Sequence, residues 1–466
     1  MEKNPKLSDY RFPPEIPVLA REKRERPAST LGRRINEWLS FYRMFFTFVF
    51  SLNAVGIGFT LAHKWEGGRQ RVATIALGNI LAALLVRNEI FLRSFYAIIL
   101  FFFKRWPPRW FRDSIAHLLL HVGGFHSGFA FSGTLWVITA TIEFFRAGPS
   151  LIHHSILAFS VIACSLLVAV AISAYPAIRN NYHNVFENVH RLGGWTGLGI
   201  LWILVCLANS WSVTEHRFIA SNMAKTADIY LSLVITVSIF IGWTTLRKVP
   251  IKAEVLSPTV VLLRFQGGVG SGLFGRVARH PLKENHAFGI ASRSRSSNEH
   301  YMCVVGQGDF TLDLIANPPT HLWTRQYKFV GLPYICPMYH CGLYVVTGSA
   351  IGVGLSPFLQ RDPKSKWHLL WISSNLEKTY GTTVLKDLRE GIATDGSGDT
   401  FEDVVTLWDT RIKGRPNLEK LIPELFETLN MPFECVFATS NPQGTAEIRR
   451  GCAKRGIACF GPVWDS

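Results

Sequence analysis

The chain changes its pattern of apolar and polar positions once, near residue 247. Before that point apolar residues run in long stretches, at roughly 41–62, 70–88, 114–142, 151–175, 192–212 and 227–246. Each approaches the ~20 residues that a helix needs to cross the hydrocarbon of a bilayer, so about six helical spans are predicted. Beyond it the runs shorten to β-branched segments such as VVLLRF (260–265) and YMCVV (301–305), divided by Gly and Pro. That texture predicts a small antiparallel β-barrel to about residue 338. From LYVVTGSAIGVGLSPFL and KWHLLWISS onward, strand-like runs alternate with helical ones, which predicts an α/β doubly wound parallel sheet.

Four segments follow: a polar, basic tail over 1–40, expected to be disordered and cytosolic, a multi-pass α-helical membrane domain over 41–246, a barrel over 247–338, and an α/β domain over 339–466. Residues 89–112 (EIFLRSFYAIILFFFKRWPPRWFR) are apolar and aromatic but short, with basic ends. They read as an interfacial helix between spans two and three, stopped by Pro107-Pro108. The tail lacks the apolar core of a secretory signal.

The formal charge of +16 over 466 residues would suggest nucleic acid in a soluble protein. Here the basic residues crowd the tail, the 87–112 connection (Arg87, Arg93, Lys104, Arg105, Arg109, Arg112), the 176–191 connection and Arg247-Lys248. The reading is positive-inside anchoring to a lipid bilayer, with no nucleic-acid partner and both termini cytosolic. Arg69 and Arg71, in the first outer loop, run against it. Eight cysteines without a CxxC pair make disulfides and structural zinc unexpected.

His117, His121 and His126 lie at the start of span three, and His183 and His190 before and at the start of span five. Imidazole between helices is a usual axial ligand of haem, and ionisable groups inside a membrane are functional candidates. A relay across the bilayer needs a second His about 13 residues further along each helix, where Thr134 and Ile203 stand. Haem is therefore not expected, and a single inner haem on His121 and His190 is kept as the alternative to histidines that hydrogen-bond between helices. His153-His154 read as interfacial. The Gly-rich stretches HVGGFHSG (121–128) and HRLGGWTGLG (190–199) read as close helix packing.

In the second half, ENHAFGIASRS (284–294) sets a strand-like HxFxI beside hydroxyls and arginines, as a strand holding an isoalloxazine ring would, and GDFT (308–311) follows where a phosphate-contacting turn is needed. An ordinary barrel strand is the alternative. In YVVTGSAIGVGLSPF (344–358) a strand runs into a Gly-spaced turn before a helix, so that backbone N–H groups approach a pyrophosphate. It departs from GxGxxG, with Ala350 where a third close glycine is expected. KGRPNLEKL (413–421) places Lys413 and Arg415 ahead of a Pro-started helix, suited to an adenosine 2′-phosphate. Trp464, in the terminal FGPVWDS, is placed to cover a flavin face or simply to pack.

Taken in order, these motifs resemble the ferredoxin-reductase module of ferric reductases and NADPH oxidases, and the six-span half resembles their transmembrane domain. VRNEIFLR (86–93), the HxFGIAS strand and the FGPVWDS ending are most similar to fungal ferric-reductase-like integral membrane flavoproteins of the TmpA type. The resemblance implies FAD on His286, Phe288, Gly289, Ile290, Ser292, Thr311 and Trp464. It implies NAD(P)H, with NADPH favoured, on Thr347, Gly348, Gly352, Gly354, Arg415 and Pro416. It also implies hydride transfer from the nicotinamide nucleotide to FAD on the cytosolic side, and a developmental role in sporulation. Two departures stand out: the haem-ligand pattern is incomplete, and the Cys-Gly-Pro expected near the nicotinamide reads ATSNP (438–442). The catalytic residue and electron acceptor stay unassigned, and a non-catalytic redox or nucleotide sensor is the rival reading.

Overall fold

The computed structural model describes residues 40–283, 285–429 and 431–462; the tail before Ser40 and Trp464, expected to cover a flavin face or to pack, fall outside them. The chain divides into two compact units. One contains residues 40–91 and 121–242, and the other residues 92–120 and 243–462.

The helices in chain order are α1 (Phe41–Leu61), α2 (Glu66–Gln70), α3 (Val72–Leu85), α4 (Glu89–Phe103), α5 (Arg109–Leu120), α6 (Gly123–Ala147), α7 (His154–Ser173), α8 (Pro176–Asn181), α9 (His183–Ser210) and α10 (Ala227–Thr244). A two-residue antiparallel pair, β1 (Trp211–Ser212) and β2 (Arg217–Phe218), follows α9. Among the described residues five helices, α1, α6, α7, α9 and α10, are long and apolar enough to cross a membrane; the number rises to six if the bent pair α3 and α4 counts as one span. Two expected boundaries move. The second stretch forms only the 14 residues of α3, about 21 Å of helix. The third starts at Gly123 rather than 114, because the chain breaks after Leu120.

In this helical unit α6 packs against α1, α3 and α7, and α9 packs against α7. Small residues permit the approach: a Cβ on Gly124 would lie 2.2 Å from the Tyr42 carbonyl oxygen, and one on Gly128 2.9 Å from Val49 Cβ. Close packing is thus the role of the first Gly-rich stretch. Polar side chains are paired across helices. Trp136 Nε1 donates to Asn53 (2.7 Å), Trp202 Nε1 to Thr236 (2.9 Å), and Thr74 to Asp228 (2.5 Å). Arg69, the residue against the charge rule, is paired with Glu66 and Glu143.

The second unit holds three sheets. Strands β3 (Leu246–Pro250), β4 (Lys252–Ser257), β5 (Val260–Gln266), β6 (Leu273–Ala278), β7 (His286–Gly289), β8 (Glu299–Val305), β9 (His321–Arg325) and β10 (Phe329–Val330) form two antiparallel sheets. One has the order β10-β6-β9-β3 with β7 also on β6, and the other β4-β5-β8. The expected closed barrel is therefore not formed. The two sheets instead share a core of Val261, Leu263, Val277, Met302, Val304 and Leu322, joined by Leu314 of helix α11 (Asp309–Ala316).

The remaining strands, β11 (Cys341–Thr347), β12 (Lys366–Ser373), β13 (Val405–Asp409), β14 (Cys435–Thr439) and β15 (Ala458–Phe460), make an all-parallel sheet of order β13-β12-β11-β14-β15. Helices α12 (Ile351–Leu359), α13 (Leu376–Ala393), α14 (Phe401–Val404), α15 (Thr410–Lys413), α16 (Leu418–Thr428) and α17 (Pro442–Lys454) connect it. Both faces are covered. Leu343 and Val345 point into one core with α16 and α17, and Tyr344 and Val346 into another with α12 and α13. That is why β11 reads as a continuous apolar run rather than an alternating one.

The largest departure from the sequence reading concerns residues 92–120. They form a helical hairpin, with Pro107-Pro108 in its turn, and belong to the unit that holds the parallel sheet rather than lying as a lone helix between spans. Tyr96, Ile115, Ala116 and Leu119 are buried in the larger core. Arg112, also buried, pairs with Glu434 (2.6 Å) and donates to the carbonyls of Met338 (2.6 Å) and Pro107 (3.1 Å). Arg105 pairs with Asp362 (2.9 Å) and Ser365 (2.6 Å), and Arg93 donates to the Lys328 carbonyl (2.9 Å). These arginines, expected at headgroups, are used inside the protein. Charge counting cannot separate the two uses, because both place cations beside apolar helix.

Candidate active site at the strand switch point

In chain order the parallel sheet starts with β11 at its centre, adds β12 and β13 on one side, and then crosses to β14 and β15 on the other. The order reverses between β11 and β14, and ligands of open α/β sheets bind in the crevice beyond the strand ends at such a point. The residues there are Thr347 and Gly348 after β11, and Thr439, Ser440 and Asn441 after β14.

Gly348 has φ of +52°, and a Cβ built on it meets only Tyr380 Oη, 4.0 Å away. A positive φ with open space above it lets backbone approach a ligand. The chain then makes one 3₁₀ turn, Gly348–Ala350, and enters α12, whose first N–H, that of Ile351, donates back to the Gly348 carbonyl. Gly354 acts differently. Its Cβ would lie 2.6 Å from Val346 Cγ1, so it sets the distance between α12 and β11. Gly352 lies beside the Cys303 carbonyl, 3.0 Å from where its Cβ would be.

The crevice walls are hydroxylic. Thr347 and Ser440 share a hydrogen bond of 2.7 Å, and Tyr344 and Thr439 one of 3.2 Å. Ser440, from the ATSNP segment, is buried at the lip of the switch point. Tyr380, buried against Trp371 with ring centroids 4.9 Å apart, has its phenol pushed up to about 12 by burial, so it stays protonated beside Gly348. Cys303, next to Gly352, is likewise raised to about 12 by burial and is no thiolate at neutral pH. Tyr380 carried no signal in the sequence; Ser440 did, through its place just after a strand.

Arg415 and Pro416 lie in the exposed connection from β13 to α16. The helix begins at Leu418 and its N-cap is Asn417, which accepts from Lys420 N, so Pro416 precedes the cap rather than starting the helix. Lys413 lies over the Trp408 ring (5.2 Å), and burial lowers its pKa.

The expected flavin residues fall into two groups. His286 stacks on Phe310 (4.1 Å), and half-buried Phe288 and Gly289 continue β7, which is paired by β6 on one edge. Gly289 meets α12 directly: a Cβ there would lie 2.5 Å from the Gly352 oxygen and 2.8 Å from Val353 Cα. The strand proposed for flavin and the helix proposed for nicotinamide nucleotide thus touch at two glycines. The other group is engaged structurally. Ile290 is a core residue. Ser292 accepts from Val269 N (3.2 Å) and donates to the Ser294 carbonyl (2.8 Å), shaping its loop. Thr311 accepts from the backbone of Gln307 (2.9 Å) and Gly308 (3.1 Å), capping α11. Arg293 is tied to Asp387 and Glu390 of α13.

In the helical unit His121 lies against Phe41 (5.7 Å) at the α5–α6 break, and His190 against Phe186 (5.2 Å) one turn earlier on α9. His126 Nδ1 is bonded to the Ala83 carbonyl (2.8 Å). His117 is on α5, in the other unit, against Phe460 (5.2 Å). Among the described residues no cluster of three or more His, Cys, Asp or Glu could hold a metal ion.

Residues 332–466 match a family described as "Adenylate-forming reductase 03009, C-terminal domain". The chain is 31% identical over 452 residues to adenylate-forming reductase 03009 and 31% identical over 456 residues to adenylate-forming reductase 06235, both of Coprinopsis cinerea. Each match covers 95% of this chain but 42% of the relative, so the chain spans about two fifths of their length. Similar solved structures include phthalate dioxygenase reductase (TM-score 0.36, 14% identity, 47% of this chain and 68% of that one). Flavohemoglobin from Malassezia yamatoensis with bound FAD and heme has a TM-score of 0.37, 14% identity, and coverage of 84% and 96%. Structural likeness at this level carries no functional argument.

Proposed function

We propose that this chain is a membrane-anchored NAD(P)H-dependent flavoprotein oxidoreductase. The observation that carries it is the junction of Gly289 on β7 with Gly352 on α12, beside the open, positive-φ Gly348 at a switch point. Similarity to two reductases over 95% of the chain supports the same reading. Five apolar helices, with up to six spans, support the anchor, with the second unit on the cytosolic side.

The residues fit both nucleotides. Thr347, Gly348 and the start of α12 would hold the pyrophosphate of NAD(P)H, and Arg415 would meet a 2′-phosphate. Strand β7, His286–Gly289, paired with β6, would lie along an isoalloxazine ring, and Phe288 would offer an aromatic face. Bound FAD supplies hydride acceptance from the nicotinamide. The protein's own part is orientation: the Thr347–Ser440 hydroxyl pair fixes the crevice lip. Tyr380 keeps a neutral donor beside Gly348, and the glycine contact holds the two binding elements within van der Waals distance.

Anaerobic NADPH titration of the detergent-purified full chain tests this. Flavin absorption that bleaches is the expected result. A bound flavin that NADPH leaves oxidised would overturn the enzyme reading in favour of a sensor, and a chain that binds no flavin would overturn both.

A further inference from the structure

The α4–α5 hairpin is apolar on two opposite sides, and only one is explained. Leu92, Phe95, Tyr96, Ile99 and Phe103 recur at helical spacing and face the reductase-like core. Ile98, Phe101 and Phe102 lie on the other side of α4, and Trp106 and Trp110 flank the turn; Phe101 is 81% exposed, Trp106 75% and Trp110 69%. A helix on the surface of a water-soluble module carries polar residues there. Exposed Lys104 and Arg109 stand among these aromatics.

From these features we propose that the hairpin tip is a lipid-docking surface that seats the reductase-like unit on an anionic membrane leaflet, with Phe101, Phe102, Trp106 and Trp110 at the headgroup–acyl boundary and Lys104 and Arg109 on the phosphates. The composition argues for lipid: Trp with basic residues is what the membrane interface selects, and each cation near an anionic leaflet strengthens binding. The connectivity argues for it too. Residues 86–88 separate the hairpin from α3 and residues 121–122 from α6, so both ends are tied to apolar helices. The core side is fixed by buried Arg112 on Glu434, which holds the tip as part of a rigid unit. The hairpin thus acts as a foot of its unit, and α4 does not continue α3 as one bent span.

The test uses the full chain in lipid nanodiscs, of phosphatidylcholine alone or with phosphatidylserine, carrying photoreactive benzoylphenylalanine in place of Phe101 or Trp106. Ile412, exposed on α15 at the opposite, nucleotide-binding edge of the parallel sheet, is the control position. Illumination is expected to give lipid adducts at positions 101 and 106 but not at 412, with more adduct in phosphatidylserine. Lys104→Glu with Arg109→Glu should lower the phosphatidylserine-dependent yield by about fivefold or more. Absence of lipid adducts at both tip positions, equal adducts at 412, or adducts to a second polypeptide would overturn the proposal. None of these readouts depends on bound flavin, so they are independent of the enzyme reading.

Discussion

Phe437 and Phe48 are the same side chain in opposite surroundings. Phe437, on β14, has no exposure and is ringed by Tyr339, Tyr344, Trp367 and Phe460 at centroid distances of 5.3–6.0 Å. Phe48 points outward from α1, in a stripe with Leu52, Val55 and Phe59. Apart from the hairpin tip, the unit with the parallel sheet turns most of its large apolar residues inward. The helical unit leaves many of them outside and puts Gly, Ser, Thr and Trp136 at its contacts. Burial of apolar surface drives folding only against water, so a helical unit placed in lipid, as proposed, would rely on close backbone approach and paired polar groups instead.

The sharpest way to break this contrast is to truncate both phenylalanines. Phe437→Ala should cost about 3–5 kcal/mol in denaturant unfolding of the unit with the parallel sheet, whereas Phe48→Ala in nanodiscs should change stability by less than about 0.5 kcal/mol. A large loss at Phe48 would mean that a protein surface, and not lipid, covers α1. Next in size is the buried ion pair. Arg112→Ala leaves Glu434 uncompensated and should cost about 3–5 kcal/mol, with the helicity of the helical unit unchanged. Burial opposes ionisation of Glu434. The Arg112 guanidinium and the backbone N–H groups of His340 and Cys341 outweigh it and hold the carboxyl below its ordinary value. The stabilisation is complete above that ordinary value, near 4.5, and is lost as pH falls through the lowered one. Arg112→Ala should reduce that acid-side slope, leaving the part held by the His340 and Cys341 N–H groups.

The smallest effect distinguishes burial from pairing. His368, buried between the Asp403 carbonyl (3.1 Å) and Thr406 Oγ1 (2.8 Å), is lowered by burial from 6.5 to about 4. Between those values the unfolded chain binds a proton that the folded one refuses, so stability falls as pH drops from 6.5 to 4, by at most about 3 kcal/mol. His368→Gln should remove this slope when unfolding is followed across that range, and an unchanged slope would assign it to another group.

Much of this was legible along the chain. The switch of period near residue 247 agrees with the start of β3 at Leu246, and TGSAIGVG announced a strand, a glycine turn and a helix that are all present. Less of the site could be read. Ile290, Ser292 and Thr311, expected at the cofactor, are also a core residue, a loop hydroxyl and a helix cap, roles that use the same residue types as a binding strand. Gly354, expected at the phosphates, also packs so close to Val346 that a Cβ would lie 2.6 Å from it, which spacing alone does not show.

The sequence by itself determined where long apolar helices give way to short strands and which turn frees backbone N–H groups, because periodicity, glycine placement and β-branching act over a few residues. Tertiary structure alone decided that residues 92–120 join the unit with the parallel sheet and that Arg112 meets Glu434. It also decided that two antiparallel sheets take the place of a barrel, and that Gly289 touches Gly352. The physical reason is that these outcomes depend on which surfaces find each other across tens to hundreds of residues. A local pattern of charge and hydrophobicity states that a helix must bury a face, and not which partner will cover it.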